Sequence, residues 1–326
     1  MHREQPAAYF YLGRIYYEGN DLPSAEHALH EGIAIGQRTG RGRYWPSAYA
    51  ALAWVGWARG DVTQTSSLME QALAAARLLD SPPAIAETET RQAGLWLAQG
   101  DLAATGRWLA RRQINVDDEV PYEQQADYLL LARIRIAQEQ QAPGSIDMAA
   151  IVRLLDRLRE AAEADERLSD RILILVLLAL AHAVGRDPHQ ALAPLLAALE
   201  LAEPEGYIRT FVDEGAPMRT LLLSQRARLL GSDAPNPQLA YIDRLLDAFP
   251  QDVLAVPTAS TSSQLLSDRE RAVLELLATG RSVQEIAAVL VISAHTARTH
   301  VKNIYAKLDT HNRVEAIERA RALNLL

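Results

Sequence analysis

Hydrophobic positions in the first 250 residues recur at intervals of three and four, and almost no stretch alternates between apolar and polar residues. This spacing places apolar side chains on one face of a helix, so the pattern predicts helices throughout the region. Helices built mainly from Ala, Leu, Glu, Gln and Arg are also favoured by intrinsic propensity. The stripes predicted to face inward in the first two helices are Tyr9, Leu12, Ile15 and Tyr16, then Ala25, Ala28, Leu29 and Ile33.

Turn signals interrupt this helical pattern at a steady interval. The first three begin at Gly19, Gly60 and Gly100, which are 41 and 40 residues apart, and further breaks follow at 140–144 and at Gly185. Glycine accepts the left-handed φ that ends a helix, and the Asn or Asp that follows can cap the next one. Five breaks with one period predict stacked helical hairpins, because one hairpin cannot bury both of its faces. The pattern resembles tetratricopeptide repeats lengthened from 34 to about 40 residues.

Seven aromatic residues lie between positions 44 and 108 of the predicted repeats. Stacked hairpins form a concave surface that binds partners or ligands, so these residues are candidates for such a surface. Aromatic side chains at helical spacing more often fill the core, which favours packing for most of them. The residues concerned are Tyr44, Trp45, Tyr49, Trp54, Trp57, Trp96 and Trp108.

The last quarter of the chain has a different organisation. A helix over 237–249 is predicted to cap the repeats, and residues 250–263, rich in Pro, Thr, Ala and Ser, are typical of a flexible linker. We therefore predict a repeat domain at 1–250, a linker at 251–264 and a smaller domain at 265–326. The smaller part carries nine Lys/Arg against seven Asp/Glu, whereas the first 264 residues carry 24 against 34. A basic end on an acidic body is the asymmetry of a nucleic-acid module joined to another function.

Four short helices are predicted in the smaller domain. Ser267–Glu270 and Ser282–Glu285 have the sequence of capping boxes, Gly280 ends the first helix, and Asn312 opens the fourth. The third helix runs from Ser293 to about Leu308. Its buried stripe consists of Ala297, Val301, Ile304 and Leu308.

The other side of this third helix carries polar and cationic residues. A short helix, a tight turn and such a helix form the arrangement that enters the major groove of DNA. Arg298, Thr299 and Lys302 are predicted to face base edges, since Arg or Lys pairs well with guanine and Thr can touch a thymine methyl. Thr296, His300 and Lys307 are better placed for phosphates, which position the protein without specifying sequence. His295 lies on the same polar side. The alternative is a solvated basic face on an ordinary small helical bundle.

The motifs of this domain resemble the LuxR-type DNA-binding domain. The similarity rests on Leu266–Glu270, Gly280–Ser282, Glu285–Ala287, Ile292–Ser293, Thr296, His300–Tyr305, Lys307–Leu308, Arg313, Glu315–Ala316 and Ala320–Arg321. The resemblance implies that the third helix reads the operator and that the fourth helps two domains to pair on DNA. Residues 121–123, 130–133 and 205–215 add a similarity to the large ATP-dependent, MalT-like regulators of the LuxR family. Those proteins carry an N-terminal ATPase, and this chain has no Gly-x-x-x-x-Gly-Lys-Ser/Thr motif, so we expect only the sensor and output portion.

Other chemistry is sparse in this sequence. The chain has no cysteine, which excludes disulfides and thiolate metal sites, and its longest apolar run, 172–181, is too short to span a bilayer. We interpret His27 and His30 as a solvated pair, and Asp117–Asp118 as a loop pair without a partner. No catalytic, cofactor or metal site is predicted.

The sequence thus predicts an all-α, tetratricopeptide-like superhelix followed by a four-helix, LuxR-type helix-turn-helix domain. We expect a cytoplasmic transcription regulator that binds double-stranded DNA as a dimer and is modulated by an unidentified effector or protein on the repeats. RNA polymerase is a further candidate partner. The alternative is a repeat scaffold that binds proteins and has a vestigial DNA-binding end.

Overall fold

The computed structural model describes residues 6–40, 42–185, 188–231, 238–250, 273–274, 276–289, 301, 304, 310 and 312–322. The chain divides into two compact units, Met1–Val256 and Pro257–Leu326. Every regular element that these residues form is helical, which confirms the predicted all-α class. The finer domain limits, with a linker at 251–264, stay a prediction because those linker residues lie outside the described ranges.

Five helical hairpins make up most of the first unit. Each consists of an odd-numbered helix followed by an even-numbered one, as the turn signals predicted. The hairpins are α1 (Pro6–Glu18) with α2 (Leu22–Thr39), α3 (Trp45–Ala58) with α4 (Val62–Leu78), α5 (Pro82–Ala98) with α6 (Leu102–Arg112), α7 (Gln125–Gln141) with α8 (Met148–Ala164), and α9 (Leu168–Val184) with α10 (Leu192–Ala202). Short 3-10 turns, Gly42–Tyr44, Tyr122–Gln124 and Pro188–Ala191, precede α3, α7 and α10.

The turns inside the first three hairpins share one chemistry. Asn20, Gly60 and Gly100 have a left-handed φ of 62°, 78° and 78°. The aspartate that follows each of them, such as Asp61, accepts a hydrogen bond from a backbone N–H of the next helix and so caps it. The equivalent of Gly60 in the first turn is therefore Asn20 and not Gly19, and the structural period is 40 residues at both steps.

The odd-numbered helices form an inner layer, and the even-numbered ones pack outside it. Contacts run from α1 to α3, α5, α7 and α9 in order. The series continues through α11 (Arg209–Val212), which contacts both α9 and α1, so the inner helices form a closed circuit. The helices α12 (Gly215–Leu230) and α13 (Gln238–Asp247) complete this unit, with Tyr241 and Ile242 buried in the core.

Helix α9 is the most deeply buried element of the first unit. It contacts α7, α8, α10, α11 and α12, and residues 174–181 are buried on all sides. This explains the longest apolar run in the sequence, since a helix covered all round needs no polar face. None of the described helices is long and apolar enough to cross a membrane.

The buried face of α1 differs from the predicted one. Leu12 and Ile15 are 38% and 67% exposed, whereas Phe10 and Gly13 are buried. The Cβ position of Gly13 lies 2.6 Å from Leu29 Cγ, so α2 approaches α1 over the glycine. The stripe predicted for α2 is confirmed, because Ala25, Ala28, Leu29 and Ile33 are at most 5% exposed.

Candidate DNA-binding unit and repeat groove

The second unit has its own small hydrophobic core. Helical residues from the first predicted helix, from α14 (Val283–Val289), from the third predicted helix and from α15 (Arg313–Ala322) all contribute to it. Its buried members are Val273, Leu274, Leu277, Ile286, Val301, Ile304, Ala316 and Ala320. The first predicted helix of this unit is followed by Gly280, whose φ of 89° is left-handed. This agrees with the sequence, which predicted that Gly280 ends the helix.

A reciprocal capping box opens α14. The Glu285 backbone N–H donates to Ser282 Oγ at 3.3 Å, and the Ser282 backbone N–H donates to Glu285 Oε2 at 2.7 Å. The hydrogen bonds from Ser282 lower the pKa of the Glu285 carboxyl. The box predicted at this position is confirmed, whereas the one at Ser267–Glu270 lies outside the described residues.

Two residues fix the inner side of the third predicted helix. Val301 and Ile304 are helical and buried, at 9% and 0% exposure, which agrees with the predicted apolar stripe. The other two stripe residues, Ala297 and Leu308, lie outside the described ranges. So do all seven candidate DNA contacts, His295, Thr296, Arg298, Thr299, His300, Lys302 and Lys307.

The fourth helix, α15, is attached to the first half of the unit by Arg313. Its guanidinium donates to the carbonyl oxygen of Arg281 at 3.0 Å and to that of Leu277. Asn312 and Glu315 cap the helix, with the Glu315 N–H donating to Asn312 Oδ1 at 3.0 Å. These bonds connect the end of the second unit's first helix, and the turn after it, to the start of α15. They support a single folded unit.

The described residues of the first unit line a groove of about 1150 Å³. The inner helices line it, and equivalent lining positions are 40 residues apart in α1, α3 and α5. The sets are Tyr11, Ala51 and Arg91; Arg14, Trp54 and Gly94; Tyr17, Trp57 and Leu97; and Glu18, Ala58 and Ala98. The sequence pointed to only the two tryptophans among these positions, although the 40-residue period could have located the others.

The aromatic candidates pack with the core residues, as the sequence favoured for most of them. All seven pack in or against a hydrophobic core, and Trp108 is 1% exposed. Trp54 and Trp57 also line the groove, so they offer apolar surface to anything inside it. Packing is thus the main role of these seven aromatic residues, and Trp54 and Trp57 also present a surface to the groove.

Charged residues in the groove are mostly paired. Arg91 donates to Glu87 Oε1 at 2.8 Å, Arg133 contacts Glu214 Oε1 at 2.6 Å, and Arg59 pairs with Glu26. Arg14 differs, since it makes no ion pair or hydrogen bond with any described residue. Enclosure by the groove walls and the neighbouring Arg91 charge lower the pKa of the Arg14 guanidinium.

The circuit of inner helices closes at a polar seam, which consists of Tyr17, Glu18, Asn20, Arg209 and Asp213. Tyr17 OH donates to Asp213 Oδ2 at 2.8 Å, and the Arg209 guanidinium pairs with Asp213 and lies 5.3 Å from the Tyr17 ring centre. The Thr210 N–H donates to Glu18 Oε1 at 2.8 Å. Burial, with the nearby Asp213 charge, raises the pKa of the Tyr17 phenol well above its usual range.

Asp118, predicted to have no partner, is in fact bonded within its loop. Its Oδ2 accepts from Tyr128 OH at 2.9 Å and from the Asn115 N–H at 2.7 Å. Burial and this acceptor raise the pKa of Tyr128 to about 12. The prediction was wrong because Tyr128 enters from the following helix, which the residues of the loop alone do not indicate. The carboxylate orders the loop before α7.

Family models match both parts of the chain. Residues 2–228 match the model described as the MalT-like TPR region, and residues 264–320 match that of the bacterial regulatory proteins of the luxR family. The first match covers more than half of the chain.

Relatives of this chain include several proteins described as HTH-type transcriptional regulator MalT. The protein of Vibrio campbellii is 27% identical over 323 residues, covering 93% of this chain and 34% of that protein. The Serratia proteamaculans protein is 28% identical, and the match covers 99% of this chain and 37% of that protein. A Klebsiella pneumoniae protein is 30% identical, and the match covers 70% of this chain and 26% of that protein. The chain spans about a third of the length of the first two relatives.

Proposed function

The chain belongs to the family of MalT-like TPR regions and carries a LuxR-family domain near its C-terminal end, and from this premise we propose that it is a sequence-specific transcription regulator. The observation that carries the proposal is the luxR-family match over 264–320, together with a helical core in which Val301 and Ile304 are buried. In this proposal the helix 293–308 enters the DNA major groove. The repeats hold an effector or a protein that modulates the activity.

Helical geometry says which candidates would stand opposite the buried side of the third helix. In an ideal helix of 3.6 residues per turn, Thr299 stands about 170° from the mean direction of Val301 and Ile304, Lys302 about 130° and Arg298 about 90°. Thr299 and Lys302 would therefore point away from the core, with Arg298 at the flank. A long arginine side chain on the flank can still reach a base edge, which supports assigning these three residues to base contacts.

The remaining candidates are assigned to the DNA backbone. In the same ideal helix, Thr296, His300 and Lys307 stand about 70° to 110° from the buried direction, on the flank opposite Arg298, where phosphates lie beside an inserted helix. His295 stands about 150° away, on the outer side. Double-stranded DNA is thus the main partner, bound by paired chains at two half-sites in the cytoplasm, with RNA polymerase as a second partner. No enzymatic activity forms part of the proposal.

Selection from a random duplex pool tests this function directly. The full chain should enrich a defined motif with two half-sites, and its affinity should fall steeply with salt because phosphate contacts release counterions. Arg298→Ala and Lys302→Ala should each reduce discrimination between the selected and scrambled duplexes by about 5- to 150-fold. Lys307→Ala should weaken both duplexes alike and lower the salt slope by about one.

Arg77→Ala is the matched control for lost charge, since Arg77 is exposed on α4 in the first unit. It should leave both affinity and discrimination unchanged. Discrimination that survives both Arg298→Ala and Lys302→Ala would contradict the assignment of base contacts. Failure to enrich any duplex would reject DNA recognition and favour the repeat scaffold.

A further inference from the structure

We propose that the groove of the first unit binds a small anionic ligand, with the negative group held by Arg14 and Arg91 and the apolar part packed on Trp54. This inference rests on the proposed function only in naming that ligand as the effector of the regulator. The volume of the groove, about 1150 Å³, is slightly above the range of about 300 to 1,000 Å³ that is typical of small-molecule sites, so a small organic molecule can fit in part of it.

The charge of the ligand follows from Arg14. Its side chain is exposed within the groove, yet it has no carboxylate within ion-pair distance among the described residues. Burial, and then the charge of a second lining guanidinium, Arg91, lower the pKa of Arg14, while Tyr11, Glu18 and Glu87 have smaller opposing effects. Two cations that line one groove repel each other, and an anion bound by both removes the repulsion. A phosphate or carboxylate also matches the planar fork of a guanidinium.

The other lining arginines are poorer candidates because each is already neutralised. Arg59, Arg133 and Arg209 pair with Glu26, Glu214 and Asp213. Arg91 has a partner in Glu87, but that carboxylate is half exposed on the same helix and leaves further N–H groups of Arg91 unused. Arg14 thus has no ion pair with any described residue, and Arg91 has the most exposed partner of the paired lining arginines, since Glu87 is 51% exposed against 28% for Glu26 and 9% for Glu214.

The apolar part of the site results from a missing side chain. Gly94 occupies the same repeat position in α5 as Arg14 in α1 and Trp54 in α3. The Trp54 ring lies 3.3 Å from the Cβ position of Gly94, so the indole covers the space that a side chain would fill. Helix α3 therefore presents a flat apolar surface to the groove at the repeat position that Arg14 occupies in α1. This combination fits an organic anion better than an inorganic one.

Ligand-detected NMR titrations of the full chain, without DNA and at constant ionic strength, test the inference. The probes are phenyl phosphate, phenylacetate, 2-phenylethanol and inorganic phosphate. Phenyl phosphate or phenylacetate should bind at least tenfold more tightly than neutral 2-phenylethanol, and the stronger of the two identifies the anionic group. Inorganic phosphate should bind more weakly than phenyl phosphate because it makes no contact with Trp54.

Arg14→Gln should weaken binding of the preferred anion by about ten- to a hundredfold, the range for a lost charged hydrogen bond. Arg59→Gln is the matched control, since this lining arginine is already paired, and its effect should stay below about threefold. Gly94→Leu should also reduce binding, because the side chain would displace the Trp54 ring. Equal affinity for 2-phenylethanol and the anions, or unchanged binding by Arg14→Gln, would overturn the proposal.

The test also separates this inference from the proposed function. Anion binding that depends on Arg14 in a chain that selects no duplex would support the site and reject its role as an effector site. Sequence-specific DNA binding in a chain that takes no anion would reject the site and leave the regulator proposal intact.

Discussion

Replacing Asp213 by alanine should destabilise the first unit by about 3 kcal/mol, because it removes the anionic partner of a buried arginine. The Arg209 side chain is 5% exposed and that of Asp213 is 19% exposed, so water solvates the guanidinium poorly once the carboxylate is lost. Breaking a buried ion pair from one side typically costs about 3 to 5 kcal/mol. The lower end applies here because Arg209 keeps the Tyr17 ring at 5.3 Å and Asn20 Oδ1 at 3.4 Å.

Urea unfolding followed by tryptophan fluorescence measures this loss. All five tryptophans of the chain lie between residues 45 and 108, so the signal reports on the first unit alone. Asp243→Ala is the matched control, because Asp243 pairs with Arg226 on the surface and the two side chains are 44% and 41% exposed. That variant should lose less than about 1 kcal/mol.

A double variant examines the reason for the loss. Arg209→Met with Asp213→Ala removes both charges, so its cost should be smaller than the sum of the two single changes. A loss for Asp213→Ala no larger than that for Asp243→Ala would refute the reasoning that the seam is a buried ion pair. Additive single and double changes would refute it as well.

Three further predictions concern the repeats and use the same unfolding assay. Asp61→Ala removes the cap of α4 and should cost about 1 kcal/mol, and an unchanged urea midpoint would show that the turn holds without it. Gly13→Ala should cost about 1 to 3 kcal/mol because its Cβ would lie 2.6 Å from Leu29 Cγ, whereas Gly106→Ala, which meets no atom within 4 Å, should not destabilise the unit. Stability should fall as pH rises from about 10 towards 12, because the pKa of Tyr128 is raised to about 12 in the folded state and the unfolded chain loses this proton first. Tyr128→Phe should remove that part of the pH dependence.

The hairpins could be predicted from the sequence because their signals are local. A left-handed residue followed by Asp ends one helix and begins the next within a few residues, as at Gly60 and Gly100. The capping box at Ser282 was predictable for the same reason. Such features depend on backbone geometry and short-range hydrogen bonds, which the order of residues specifies directly.

The orientation of α1 could not be predicted in the same way. Apolar residues at helical spacing identify a helix, but they do not say whether a given face meets another helix or a groove. Ile15 and Tyr11 line the groove, and the closest packing occurs over Gly13, a residue with no hydrophobic side chain. The seam is still less visible, because 196 residues separate the two members Tyr17 and Asp213.

The 40-residue period determines which positions line the groove, but it does not determine which residue types occupy them. The fold depends on the positions, whereas the chemistry of the groove depends on the residue types. Equivalent positions in α1, α3 and α5 carry a charged residue, Arg14, an aromatic residue, Trp54, and a residue without a side chain, Gly94. A requirement of the fold alone would favour similar residues at all three, as it does for the capping aspartates at 21, 61 and 101. The positions where the repeats agree therefore report on folding, whereas the positions where they differ and line the groove are the ones that ligand recognition can use.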